Sequence, residues 1–249
     1  MLTKTGPRSN HLDRSVLKPS TIVEFSPKLP WRSRVFRWLM KIASRLLFRI
    51  STTGGKNIPK GNCIIVANHL SWIDHLLLMT VLPAEPRPYL IGASQSICSP
   101  FKTWLVQTFG GVIPVERGAY WIGKDSLKLP IQILECGASL VLFPEGDVSG
   151  VEGEMLPLKR GIGHIALQAD YPILPIALSG VKELYWRKPI QVVIGKPFRV
   201  HADDLNHRAA ISAAVDQVET ALRTILPSYK EPVVKKKRML FLNSFSDRV

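Results

Sequence analysis

"CIIVANHLSWIDH", residues 63–75, is the stretch on which the fold turns. Cys63–Ala67 is an unbroken apolar run, which reads as a buried strand, and it breaks abruptly into Asn68 and His69. Asp74 follows the histidine by five residues. In α/β proteins a buried strand that ends in polar side chains is a usual way to build a site, because ligands gather at the carboxyl ends of strands. The competing interpretation is a capped helix start at which a histidine happens to sit.

Outward from this motif the pattern alternates. Short runs rich in Ile, Val, Leu or Tyr and bounded by Gly or Pro predict strands at Asn62–Ala67, Tyr89–Gly92, Val112–Val115, Leu140–Phe143, Ile173–Leu178 and Gln191–Gly195. Helices are expected near 71–82, 101–109, 124–136, 161–170 and 207–226. Strands alternating with helices imply an α/β domain over residues 51–226, built on a mainly parallel mixed sheet flanked by helices. The proline-containing, aperiodic residues 1–30 read as an irregular lead-in, and residues 227–249 as a basic tail.

The net charge of +14 is unevenly placed. Residues 1–50 hold eleven Lys/Arg against two Asp/Glu, and residues 227–249 six against two. Residues 51–226 hold sixteen against fifteen, so the core is near neutral and the ends are basic. A fold that grips nucleic acid places such charge on the domain itself, whereas basic ends suit an anionic surface. Three separated cysteines, Cys63, Cys98 and Cys136, lack metal-ligand spacing, and a reducing compartment is expected. No metal is expected. No secretory signal is apparent, and no stretch reaches the roughly 18 apolar residues of a spanning helix.

"WRSRVFRWLMKIASRLLFRI", residues 31–50, is amphipathic at helical spacing. Val35, Leu39, Ile42, Ala43, Leu46 and Ile50 fall together, opposite Arg34, Arg37, Lys41, Arg45 and Arg49. A basic helix of this kind can lie in a membrane interface. It can equally pack its apolar stripe on a core and leave the basic face solvated. The expectation is peripheral attachment at the cytoplasmic face of a membrane containing anionic lipid.

With the helix start placed at Ser71, a good N-cap, Asp74 falls in the first turn or so and can fold back onto His69. A carboxylate that accepts the Nδ1 proton fixes the tautomer and leaves Nε2 free as a base. No G-x-S-x-G elbow accompanies the pair. A His–Asp pair without a protein nucleophile suits direct transfer, in which the base activates a hydroxyl of the substrate. Three further stretches join it. "GGVIPVERG", residues 110–118, delivers Arg117, a residue type suited to bidentate phosphate binding. "LVLFPEGDVSG", residues 140–150, delivers Glu145 and Gly146. "YPILPIALSG", residues 171–180, is a strand entered through Pro172 and broken by Pro175.

In this order the four stretches resemble the glycerolipid acyltransferase family, whose best-known members make phosphatidic acid from lysophosphatidic acid. The family's N-H-x4-D block matches Asn68, His69 and Asp74. Its G-x-I-P-V-x-R block matches Gly111–Arg117, and its F-P-E-G-x-x-S block matches Phe143–Gly146 and Ser149. Its proline-bracketed fourth block matches Pro172–Pro175. The resemblance implies acyl transfer from acyl-CoA or acyl carrier protein, as co-substrate and without a cofactor, to a lysophospholipid hydroxyl. It implies His69 as base, Asp74 as its orienting partner, and Arg117, Glu145 and Gly146 holding the acceptor head group. Two departures bear on the acceptor: Asp147–Val148 stand where the family often has Thr-Arg, and Ser94–Ser96 where it often has a lysine and a glutamate. Other lysolipids, or a non-catalytic membrane-binding role on the same fold, are the alternatives.

Overall fold

The structure, a computed structural model, describes residues 25–93, 111–115, 127–149, 151–202 and 205–229. The elements run α1 (Trp31–Leu47), β1 (Arg49–Thr53), β2 (Ile64–Ala67), α2 (Asp74–Val81), β3 (Pro88–Ala93) and β4 (Val112–Val115). They continue with α3 (Lys128–Glu135), β5 (Ser139–Leu142), α4 (Gly161–Ala169), β6 (Ile173–Ser179), β7 (Pro189–Ile194) and α5 (His207–Ile225). The expected helix at 101–109, Arg117, Ser94–Ser96 and most of the two basic ends lie outside the described residues.

The strands form one sheet in the order β1-β7-β6-β2-β5-β3-β4. The five strands from β6 to β4 are mutually parallel, and β7 and β1 run the other way. The opening motif's strand, β2, therefore sits between β6 and β5, where the chain leaves toward β3 on one side and later returns to β6 on the other. This reversal point is where an open α/β sheet leaves a crevice at its carboxyl edge. Successive β2 residues face opposite layers: Ile65 and Ala67 join α2 and the inner side of α1 in one core, and Ile64 and Val66 join α3, α4 and α5 in the other. Coverage on both faces explains why Cys63–Ala67 shows no polar alternation. Cys63 is buried there, and burial pushes its thiol up to about 11, which makes it an inert core residue.

Three expectations are corrected. The N-terminal helix ends at Leu47, not at residue 50. Phe48, in extended conformation, drops into the core at 2 % exposure, and Arg49 N–H donates to Lys188 O. The segment RISTT then forms edge strand β1 beside β7, and because it is mostly exposed it carried no buried-strand signal. Pro175 does not break β6. Its carbonyl accepts Gly195 N–H just past the last β6–β7 pair, Ile176 with Ile194, so the missing donor falls at the end of the ladder. Gly195 also makes room for the ring, since a Cβ there would lie 2.8 Å from Pro175 Cγ. Finally, α2 begins at Asp74 rather than near Ser71. Residues 71–73 form a turn, closed by Asp74 N–H donating to Ser71 O.

The orientation of α1 shows which of its faces meets the domain. Ser33, Arg37 and Ser44 are buried, and Phe36, Met40 and Leu47 pack on the core beside α2. Trp31, Val35, Trp38, Leu39, Ile42 and Leu46 are exposed, Trp31 by 69 % and Trp38 by 61 %. The apolar stripe lies on the side of the helix away from the domain, roughly 150° around at 100° per residue. Arg37, expected on the solvated basic stripe, is instead buried. Its Nη2 donates to Leu82 O at 2.8 Å and Pro83 O at 3.1 Å, at the carboxyl end of α2. Burial lowers its pKa to about 10, so it remains charged at neutral pH. Arg37→Met is expected to cost ~3 kcal/mol in urea unfolding, because the buried Leu82 carbonyl and the part-buried Pro83 carbonyl lose a charged donor. A loss below about 1 kcal/mol would show the contact to be dispensable. Among the described residues no helix is long and apolar enough to cross a membrane.

Candidate active site

The parallel register of β2 against β5 aligns Val66 with Leu142, so the residues that follow each strand leave the sheet side by side. This brings the first and third sequence blocks together. On the other flank Asn68 is fully buried and extends the sheet with its side chain. Its Oδ1 accepts Leu178 N–H at 2.7 Å and its Nδ2 donates to Leu178 O at 3.0 Å. The amide thus pairs with β6 where β2 has already ended, and holds the turn into His69.

His69 Nδ1 lies 2.8 Å from Asp74 Oδ2. The same oxygen accepts Leu70 N–H and Ser71 N–H, each at 2.7 Å, and Asp74 is completely buried. An oxygen that already accepts two backbone N–H groups carries no proton of its own to donate, so Nδ1 is the donor in this contact and Nε2 is the basic nitrogen. The His69 side chain keeps 22 % exposure against zero for Asp74, so the imidazole is open on one side and anchored on the other. Phe143 stacks on it with centroids 4.3 Å apart and planes 15° from parallel.

Glu145 reaches the same place, and its side chain meets the backbone of the site. It is 1 % exposed, with Oε1 accepting His69 N–H at 2.8 Å and Oε2 accepting Leu156 N–H at 2.6 Å. Both oxygens are therefore occupied by backbone amides, and the carboxylate braces the histidine loop. Burial raises its pKa, the Asp74 charge adds to this, and the two amide donors oppose it. Gly146 is exposed at φ 69°, a left-handed conformation that favours glycine. Four contacts carried no sequence signal. Ser149 N–H donates to His69 O at 2.7 Å, completing the clamp on the histidine backbone. Lys182 Nζ donates to Ser149 O at 3.1 Å, and Glu152 accepts Gly180 N–H and Lys182 N–H. Ser149 stands in the third block and Lys182 just past the fourth, and only the meeting of those strands reveals the link. β4 ends on the same carboxyl edge, three strands from β2, or about 14 Å at usual strand spacing.

Comparison with known proteins places the chain among acyltransferases. A family model described as Acyltransferase matches residues 49–179, over half of the chain. A 1-acyl-sn-glycerol-3-phosphate acyltransferase of Cocos nucifera is 29% identical over 226 residues, 84% of this chain and 71% of that protein. One from Limnanthes alba is 28% identical over 198 residues, 74% of this chain and 66% of its own length. The human alpha enzyme of the same name is 30% identical over 150 residues, 59% of this chain and 52% of its own. The chain thus spans between about half and seven tenths of these relatives. The crystal structure of the 1-acyl-sn-glycerophosphate (LPA) acyltransferase PlsC from Thermotoga maritima superposes with a TM-score of 0.59 at 20% identity, covering 80% of this chain and 81% of that one, a likeness of fold. With its histidine and aspartate joined at the carboxyl edge of the central strand and the family model spanning that region, the chain belongs to the glycerolipid acyltransferase family.

Proposed function

We propose that the protein transfers a fatty acyl group from acyl-CoA or acyl carrier protein to the free hydroxyl of a lysophospholipid, with 1-acylglycerol 3-phosphate as the acceptor that the named relatives point to. The observation that carries this is the geometry of His69: Nδ1 is held by a buried carboxylate, and among the described residues no serine, threonine or cysteine side chain bonds to the ring. The nucleophile then comes from the substrate. The acceptor O–H gives its proton to Nε2 as its oxygen attacks the thioester carbonyl. The tetrahedral intermediate expels the thiolate by breaking the C–S bond, and the imidazolium returns the proton to sulfur. Asp74 keeps the ring oriented and stabilises its charged form. Arg117 and Gly146 are proposed at the acceptor head group.

The reaction is proposed to occur at a lipid surface. A soluble domain gains nothing from six exposed apolar side chains on one helix, two of them tryptophans, flanked by Arg34, Lys41 and Arg45. That composition matches an interfacial helix on anionic lipid. The test is thioester consumption by the purified protein with both donors, in vesicles containing anionic lipid, across a panel of lysolipids. Product formation from lysophosphatidate is expected; failure to acylate any acceptor in the panel would overturn the assignment. In the same vesicles, the double change Leu39→Glu, Ile42→Glu is expected to weaken binding at least about tenfold, since each buried Leu or Ile is worth about 1.5–3 kcal/mol. Unchanged co-sedimentation would remove α1 from the interface.

A further inference from the structure

The acceptor proposed above carries a phosphate, and the third block of this chain lacks a cation where its family often has arginine. The structure brings a different one. The segment after that block folds back along the Pro-Glu-Gly turn: Leu156 N–H donates to Glu145 Oε2, and Lys159 N–H donates to Pro144 O at 2.8 Å. This pinning lays the Lys159 side chain across Gly146. A Cβ built on Gly146 would stand 3.1 Å from Lys159 Cγ and 3.3 Å from its Cε. The backbone therefore comes close to the lysine stem only because residue 146 is glycine. The lysine stem thus lies against a turn whose preceding residues, Phe143 and Glu145, stack on His69 and brace it.

Of the neighbouring cations, Lys182 is committed elsewhere, its Nζ bonded to Ser149 O. Arg160 lies on the His164 side, where its charge helps to lower the His164 pKa after burial and His207. Lys159 is exposed, and among the described residues its ammonium has no hydrogen-bond or ion-pair partner. Asp147, beside Gly146, is exposed as well and its Oδ1 accepts Val148 N–H. A phosphate arriving here therefore meets an anion unless a cation covers it.

We infer that Lys159 receives the phosphate of the acceptor, supplying from the extended segment before α4 the charge that the third block lacks. This rests on the acyl-transfer assignment. An ammonium is a compact point charge on a flexible stem, so it favours a phosphate monoester without demanding bidentate geometry.

The test is steady-state kinetics in detergent–lipid mixed micelles with lysophosphatidate at saturating donor, for wild type, Lys159→Gln and Lys159→Arg, with Arg223→Gln on α5 as a surface-charge control. Lys159→Gln is expected to raise the KM for lysophosphatidate about tenfold or more with kcat within about threefold. Lys159→Arg should recover most of that loss, and the control should leave KM unchanged. All variants should unfold at the wild-type temperature, because the side chain is exposed. An unchanged KM in Lys159→Gln, or a fall in kcat alone, with an active wild type would overturn the role of Lys159 and leave the acyl-transfer assignment standing. A wild type inactive toward every phosphate-bearing lysolipid would overturn both.

Discussion

Replacing His69 with alanine is expected to lower acyl transfer by about 10³-fold, within the range that a positioned general base contributes, while the fold remains in place. Its backbone ties are independent of the ring: Glu145 Oε1 holds its N–H and Ser149 N–H holds its carbonyl. Removing the imidazole leaves Asp74 Oδ2 with two backbone donors, so no buried charge is stranded without partners. The expected record is a loss of kcat, near-wild-type thermal unfolding and unchanged vesicle binding. Asp74→Asn should fall less far in the transfer step and further in stability, because a neutral amide oxygen is a weaker acceptor for the three donors than a carboxylate oxygen. Activity in His69→Ala within about tenfold of wild type would place the base elsewhere.

The second large effect is expected at Glu145, where stability and activity fall together. In Glu145→Ala two buried amides, those of His69 and Leu156, lose their acceptor and a cavity is left behind. The expected cost is about 3 kcal/mol or more, roughly a 6–12 °C fall in Tm for a chain of this size. Glu145→Gln keeps the volume, but sets its NH2 against one of the two N–H groups and should lose about half as much. A residue that only contacted the acceptor would instead raise KM at unchanged Tm, and that outcome would remove the bracing role. The pH dependence has a defined sign. The folded-state pKa of Glu145 lies above the unfolded value, with burial the largest cause. Its proton therefore contributes stability that is fully present below the ordinary glutamate range and is lost as pH rises through the raised value. The stability gap between wild type and Glu145→Gln should accordingly narrow from mildly acidic to neutral pH.

The line between what local sequence encodes and what it leaves open can be drawn at particular residues. Cys63–Ala67 announces a strand covered on both sides, and the strand ends in the pair that forms the dyad, because burial pattern and a five-residue spacing are local properties. The alternation of strands and helices after residue 51 likewise implied a mainly parallel sheet, which the pairing bears out. β1 stayed hidden because an exposed edge strand has no hydrophobic signature, and Pro175 misled because whether a missing N–H matters depends on where the neighbouring ladder ends.

The contacts of Glu145, Ser149 and Lys182 depend on which strands are neighbours. That β5 and β6 both flank β2 is a fact of sheet order, set by how the two cores close, and residue periodicity carries no record of it. The same holds for α1. Its sequence determined an amphipathic helix with one apolar and one basic side, whereas only tertiary packing decided that Phe36, Arg37 and Met40 meet the domain and the apolar stripe faces away. Helical spacing of apolar and basic residues states only that two faces differ. Which face a core accepts is decided by the surface it meets, and the carbonyls of Leu82 and Pro83 called for a buried arginine.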